Sequence, residues 1–334
     1  MNAILLKFIT NLGIRGKDQP IVRWSNVSKP AIGGLTFYIA FLLSTACYAI
    51  FFPSTPLYHD IQALGVIGAT ALAFLMGLAD DAYNTRPWLK FFVQVLCGVL
   101  LIGTGIYIHF FENQFLNYGL TIIWIVGIMN SINMLDNMDG ITGTVSVFIL
   151  LICLTNLAVN HQYASFDFIA ILGMIASLIA FLFYNWHPSK MFMGDTGSQF
   201  LGMFIATMGI KYIWNSSVLG GDSDPMQQVF TVLIAFMLPI IDTTSVVINR
   251  LARRQSPFIG GKDHTTHHLS YLGLSDGRVG FVFLGISFVS LIICFGIFKF
   301  VDTWRWYHSL ILLIYFLSVF ALLYSFTQVN KEKR

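Results

Sequence analysis

Charge is what this chain has least of. Only 10% of its 334 residues are Asp, Glu, Lys or Arg, against 56% hydrophobic, and the mean hydropathy is +0.72. A soluble domain carries about a quarter of its residues as charges, so this composition excludes one and leaves a polytopic membrane protein. Cysteine is scarce too: Cys47, Cys97, Cys153 and Cys294 each stand alone inside an apolar run. Without metal-type spacing they exclude a disulfide frame and a zinc ribbon, and read as packing residues. The first twenty residues, MNAILLKFITNLGIRGKDQP, lack an unbroken apolar stretch, because Lys7 interrupts it, and lack a small-residue cleavage site. Neither a spanning helix nor a signal peptide is expected there, and residues 1–30 read as a cytoplasmic, interfacial segment. Internal repeats and low-complexity tracts are also missing.

What stands in their place is a series of apolar runs. A bilayer-spanning helix needs roughly 20 mainly apolar residues, and the chain offers ten such runs: 32–52, 61–79, 88–108, 119–135, 141–160, 166–185, 198–214, 226–248, 279–298 and 308–327. The connection 249–278, basic and rich in histidine, is the longest, which leaves no room for a separate soluble domain. The expectation is one all-α, integral-membrane domain over 1–334, with about ten transmembrane helices.

Lysine and arginine bias loops toward the cytoplasm. With the N-terminus inside, 16 of the 19 basic residues fall on cytoplasmic segments; Lys211, Lys299 and Arg305 are the exceptions. An even number of crossings returns the C-terminal KEKR to the same side. That count places four polar clusters on one face: Asp80-Asp81, Asn130 to Asp139, Gly194 to Ser198, and His264 with His267-His268. The charge bias and the cluster placement are separate observations, and together they predict one cytoplasmic-face active site.

Each cluster has its own chemistry. Two adjacent carboxylates at a helix end, Asp80-Asp81, repel one another unless a cation or proton intervenes; a lone pair of this kind also serves simply to mark a loop. Lys90 follows as a counter-charge. Steps of three place Asn130, Asn133 and Asp136 along one helical face, with Asp139 continuing the row if the helix persists. Such a row is costly to bury without a polar ligand, the alternative being a stripe that glues two helices. In GDTGS (194–198) the glycines permit a tight turn and Asp195 is a hard oxygen ligand of the kind that suits magnesium, although a turn followed by an N-cap has the same pattern. The histidines share a helical face, as in zinc sites, but no cysteine accompanies them. The surrounding Arg250, Arg253, Arg254 and Lys262 fit a cationic pocket for phosphate oxygens better. Asp242 lies inside the eighth run, and an acid at that depth is functional or structural by default; the sequence does not say which.

These motifs, in this order and over nearly the whole chain from LysProAlaIleGlyGly (29–34) onward, resemble the polyprenyl-phosphate N-acetylhexosamine-1-phosphate transferase family (glycosyltransferase family 4). Within the family the chain is more similar to enzymes that begin O-antigen, enterobacterial common antigen or teichoic acid synthesis than to the muropeptide translocase of peptidoglycan synthesis. The His motif AspHisThrThrHisHisLeu replaces the three consecutive histidines usual in the translocase. The family's DDxxD cluster appears as Asp80-Asp81-Ala82-Tyr83-Asn84, and its DGxDG as Asp136-Asn137-Met138-Asp139-Gly140.

The resemblance implies magnesium-dependent transfer, with manganese an acceptable substitute, of a sugar-1-phosphate from a UDP-N-acetylhexosamine to undecaprenyl phosphate, releasing UMP. N-acetylglucosamine is the first choice of sugar. It assigns Asp195 to the metal with Asn133 as second ligand, and Asp80 to the lipid phosphate with Asp81 and Lys90 in support. Asp136, counted with Asp80, Asp81 and Lys90 as catalytic, would line the nucleotide site with Asp139, Asn185 and Phe192; Lys29 would bind substrate, and His264, His267 and His268 would contact the diphosphate. It also implies a bacterial inner-membrane location with both termini cytoplasmic, a homodimer, and no nucleic-acid partner. The muropeptide translocase is the alternative activity. A secondary transporter, the rival class, usually places its acids near the bilayer midplane and within internal repeats; here they gather at one face and no repeat is present.

Overall fold

A computed structural model describes residues 1–3, 6, 29–52, 56–216, 224–256 and 261–329. The described residues form a helical bundle without a sheet. Its helices are α1 (Gly33–Phe51), α2 (Ile61–Tyr83), α3 (Pro87–Gly103), α4 (Gln114–Leu135), α5 (Ile141–Val159), α6 (Phe166–Asn185) and α7 (Gly194–Gly209). They continue as α8 (Pro225–Ala235), α9 (Met237–Ala252), α10 (Thr265–Tyr271), α11 (Asp276–Phe300) and α12 (Trp306–Val329).

Seven of these helices are long and apolar enough to cross a membrane, and eight if the bent pair α8–α9 counts as one span. The expectation of about ten crossings is therefore approximate: α3 has 17 residues and α7 has 16 before a π-helical segment, Ile210–Trp214, carries it on. The run 226–248 differs most from expectation. It breaks at Phe236, and its halves meet at 77°. Most of the interfacial segment expected over 1–30 lies outside the described residues.

Side-chain caps mark the helix starts away from the site. Asp60, Asn113, Ser165 and Asp224 accept from backbone N–H groups in the first turns of α2, α4, α6 and α8, satisfying donors that have no intrahelical partner. Toward that same end Lys211 pairs with Asp167, which also accepts the Tyr212 hydroxyl.

At the centre sits α7, buried from Thr196 to Gly209 and packed on α2, α4, α1 and α5. In lipid the apolar tails outside are as greasy as the side chains inside, so close packing and interhelical hydrogen bonds hold such a bundle. Gly77 shows the first: a Cβ there would lie 2.4 Å from the Asp195 carbonyl oxygen, so the missing side chain lets the end of α2 touch the start of α7. Gln94 shows the second, donating to Gln199 at 3.1 Å and accepting from Asn130 at 2.9 Å, a polar chain across α3, α7 and α4 worth about 1 kcal/mol per bond. All four cysteines are free, three of them buried, in line with a packing role. α12 forms a rim of the bundle, with few buried side chains.

Candidate active site

Three of the four clusters meet where α2 ends, α4 ends and α7 begins. Asp80, 5% exposed, forms an ion pair with Lys90 in the first turn of α3. It also accepts the Thr85 N–H at 2.9 Å and the Thr85 hydroxyl at 2.7 Å. Asp81 faces the other way. Its carboxylate accepts the N–H groups of Asp195 and Thr196 at 3.0 and 2.8 Å and the Thr196 hydroxyl at 2.6 Å. Those N–H groups belong to the first turn of α7, where partial positive charge and unpaired donors favour a carboxylate. Asp81 thus ties one motif to another across 114 residues of sequence.

Gly194 makes this approach feasible. Its φ is +73°, a left-handed conformation that costs other residues energy, and a Cβ at this position would lie 2.7 Å from Asp81 Oδ2. The Asp195 carboxyl, one residue on, meets that of Asp80. Two carboxyl groups in contact, with a third nearby and Lys90 beside them, need a proton or a further cation.

The amide-rich segment supplies the next side. Asn133 accepts the Ser198 hydroxyl at 3.0 Å, so it stands one helical turn from Asp195 on α7. The expected row does not reach Asp139, because α4 stops at Leu135 with Asp136 as its C-cap. The chain turns instead, and Asp139 accepts the Ser189 N–H and hydroxyl at 3.0 and 2.7 Å. His187 Nδ1 lies 3.3 Å and Lys29 Nζ 3.8 Å from the same carboxylate. Lys29 donates to Ser189 Oγ at 2.8 Å and stands 5.1 Å above the Phe192 ring. Asn185 is buried and spends both ends of its amide within the fold, accepting from the Gly140 N–H and donating to the Met191 carbonyl, each at 2.9 Å. It therefore braces the walls of this pocket. The segment before α1 is stitched on by backbone bonds from Phe192 to Pro30 and from Gly33 to Phe192, each 3.0 Å.

The histidine cluster joins the second cluster. His264 precedes α10, and His267 and His268 lie within it, all three at least nine-tenths buried. Thr266 donates to Asn137 at 2.5 Å, which joins α10 to the turn after α4. Ser270 donates to Asp276 at 3.1 Å, and His187 Nδ1 lies 3.8 Å from that same Asp276. Burial, aided by the neighbouring His264, pushes the His267 imidazole down to about 3, so it is neutral at physiological pH. The arginines behave differently from the expected phosphate pocket. Arg250 grips Asp263 through Nε at 2.9 Å and Nη2 at 2.6 Å, and Arg253 adds a third contact at 3.0 Å. Burial alone would push Asp263 up; the Arg250 bonds and charge outweigh it and hold the carboxyl below its usual value. Asp242 accepts from His264 and Thr265.

All four clusters are thus joined by direct hydrogen bonds: first to third through Asp81, second to third through Asn133, and second to fourth through Asn137. Thr85, His187 and Ser189 are the participants that sequence reasoning missed; as isolated polar residues near motifs they carry no pattern of their own. Thr196 stood inside GDTGS without a role of its own, and the fold gives it one as a donor to Asp81.

The sequence model described as Glycosyl transferase family 4 matches residues 63–213. The chain is also 30% identical over 306 residues, 87% of its length and 79% of the relative's, to the probable undecaprenyl-phosphate N-acetylglucosaminyl 1-phosphate transferase of Bacillus subtilis. The chain belongs to glycosyl transferase family 4. Other relatives of this transferase include the phospho-N-acetylmuramoyl-pentapeptide-transferases of Streptococcus suis, 26% identical over 308 residues, 80% of the chain and 84% of the relative, and of Heliobacterium modesticaldum, 31% identical over 202 residues, 54% and 60%. It is a multi-pass membrane enzyme.

The family implies a metal, and the residues here offer it a partial set of oxygen donors. Among the described residues no group of three or more His, Cys, Asp or Glu is placed to hold a metal ion; what the site offers a cation is the pair of carboxyls where Asp80 meets Asp195. A partial cage of hard oxygens suits magnesium, which retains waters and shares phosphate oxygens.

Proposed function

We propose that this transferase moves N-acetylhexosamine-1-phosphate, with N-acetylglucosamine-1-phosphate the preferred cargo, from a UDP-sugar to undecaprenyl phosphate and releases UMP. The reaction takes place at the cytoplasmic face of a bacterial inner membrane, with both termini on that side, and begins a lipid-linked surface glycan. The observation that carries this reading is the junction of Asp80, Asp81, Asp195 and Lys90 where α2 meets α7, with the histidine helix bonded to the turn that follows α4. The Bacillus subtilis relative supports the choice of sugar and carrier.

The chemistry is a phosphate monoester attacking a diphosphate, so anions meet anions. Such transfers rest on positioning and charge neutralisation. A polyprenyl phosphate carries roughly one and a half to two negative charges at neutral pH, as phosphoserine does, so it needs no strong base and attacks directly. Magnesium, with Asp195 as ligand and Asn133 as second ligand, would neutralise diphosphate charge. Asp80, braced by Lys90 and Thr85, orients the acceptor phosphate. Asp81 fixes the turn that carries Asp195. Asp136, Asp139, Phe192 and Lys29 border the nucleotide, Asn185 braces that wall, and His264, His267 and His268 stand at the diphosphate. The acceptor's tail stays in the bilayer while its head reaches the polar end of the bundle.

Purified enzyme incubated with labelled UDP-N-acetylglucosamine, undecaprenyl phosphate and magnesium tests the reading. Stoichiometric UMP and labelled lipid are expected. The muropeptide reading, favoured by the relatives named for that activity, predicts product only from UDP-N-acetylmuramoyl-pentapeptide, and a result of that kind would replace ours. Labelled sugar phosphate trapped on Asp80 or Asp136 without acceptor would overturn direct attack in favour of a covalent intermediate.

A further inference from the structure

The long polar connection after α9 does not stay outside the bundle. It folds back along α9: Asp263 is clamped by Arg250 and Arg253, and the next two residues reach Asp242, ten positions before the end of that helix. Asp242 is 1% exposed. One oxygen accepts the Thr265 N–H at 2.9 Å and the Thr265 hydroxyl at 2.6 Å; the other faces His264 Nδ1 at 2.8 Å.

A carboxylate this deeply buried must be met by donors. An ionised carboxylate only accepts, so the His264 nitrogen beside it must carry the proton. That leaves Nε2 as the ring atom for a ligand. Two further contacts hold the ring's surroundings: His267 lies edge-on at 5.4 Å, and Thr266 is bonded to Asn137. The break at Phe236 matters as well, because it sets the direction of α9 and hence of the Asp242 carboxylate.

We infer that Asp242 is a positioning residue: it accepts the Nδ1–H of His264 and so holds the ring with Nε2 aimed at a phosphate oxygen of the reacting substrates, to which the ring, carrying both protons in that complex, donates its Nε2–H. The inference rests on the transferase reading above. The phosphate belongs either to the UDP-sugar or to the lipid acceptor, and kinetics against each distinguishes the two. A carboxylate–histidine pair of this kind sets tautomer and ring direction, and its loss typically costs about ten- to a hundredfold in function.

The test is a double-mutant cycle on the full-length enzyme, with turnover and KM measured for both substrates and folding followed by thermal unfolding. Asp242→Asn and His264→Ala should each lower kcat about ten- to a hundredfold, and the double variant should be no slower than His264→Ala, since Asp242 then has nothing to position. Additive losses would overturn the inference. Thr265→Val, which removes one bond to Asp242 while sparing the histidine contact, should lower the unfolding temperature but keep turnover near wild type. A loss equal to that of Asp242→Asn would mark Asp242 as packing support and overturn it too. An independent reading needs no Asp242 variant: nitrogen NMR of ¹⁵N-histidine enzyme, with His264 assigned through His264→Ala, should show Nδ1 protonated. A neutral ring with its proton on Nε2 would refute the proposal. Wild-type enzyme that makes no lipid-linked sugar phosphate would instead sink the transferase reading, and the NMR result would still decide the tautomer.

Discussion

Gly194→Ala tests the junction of α2 and α7 at its tightest point. The residue's φ of +73° is strained for alanine by about 1–2 kcal/mol. The added Cβ would lie 2.7 Å from Asp81 Oδ2 and 3.1 Å from Ala31 Cβ, so the Asp81 carboxylate has to withdraw. It then gives up at least one of its three hydrogen bonds to Asp195 and Thr196, at about 1.5–3 kcal/mol for a bond to a charged group. The combined cost is about 2.5–5 kcal/mol. Asp195 is the next residue, and a displacement of about 1 Å in a reacting constellation lowers rate roughly a hundredfold. Detergent-solubilised enzyme would be compared by thermal unfolding and by UMP release. The control is Gly285→Ala, where an added Cβ meets nothing within 4 Å and alanine favours the helix. Wild-type turnover and unfolding temperature for Gly194→Ala, matching the control, would refute the claim that Asp81 organises the start of α7.

Other consequences follow from the same geometry. Asp195→Asn should abolish turnover while leaving the protein folded in membranes, and chelation should silence the wild type until magnesium or manganese is restored; activity surviving either treatment removes Asp195 from the metal. Asn185→Leu leaves the Gly140 N–H and the Met191 carbonyl without their partner, at about 1–3 kcal/mol each, which thermal unfolding would register. His267, held near 3 in the folded state, takes up its proton near 6.5 once unfolded, so its stabilisation is complete above pH 6.5 and declines as pH falls toward 3. At pH 5 the loss is about 2 kcal/mol, and His267→Gln should show a shallower fall in unfolding temperature between pH 7 and 5 than the wild type.

The sequence exposed the spans and the polar clusters because both are local signals. Apolar runs of bilayer length need no partner to be recognised, and Asp80-Asp81 or GDTGS stand out against them. The break at Phe236 escaped because both halves of that run are equally apolar, and hydropathy averages over direction. Asp242 looked like a lone acid because its partners His264 and Thr265 lie 22 and 23 residues away, on a connection whose path back into the bundle depends on the Arg250–Asp263 clamp. The basic loop read as a phosphate pocket for a related reason. Composition counts Arg250 and Arg253 as available cations, whereas the fold commits them to Asp263. Asn185 shows the converse: a position expected to line the nucleotide pocket also bonds two backbone groups of its walls.

Sidedness is the most direct trial of the central claim that four helix ends build one pocket on one face. Single cysteines would replace Asn84, Asn137, His187 and Tyr271 in turn, in a chain whose own four cysteines have been removed, and react with a membrane-impermeant maleimide. All four should label in inverted vesicles and none in intact cells. Labelling of even one from outside the cell would contradict a shared catalytic pocket.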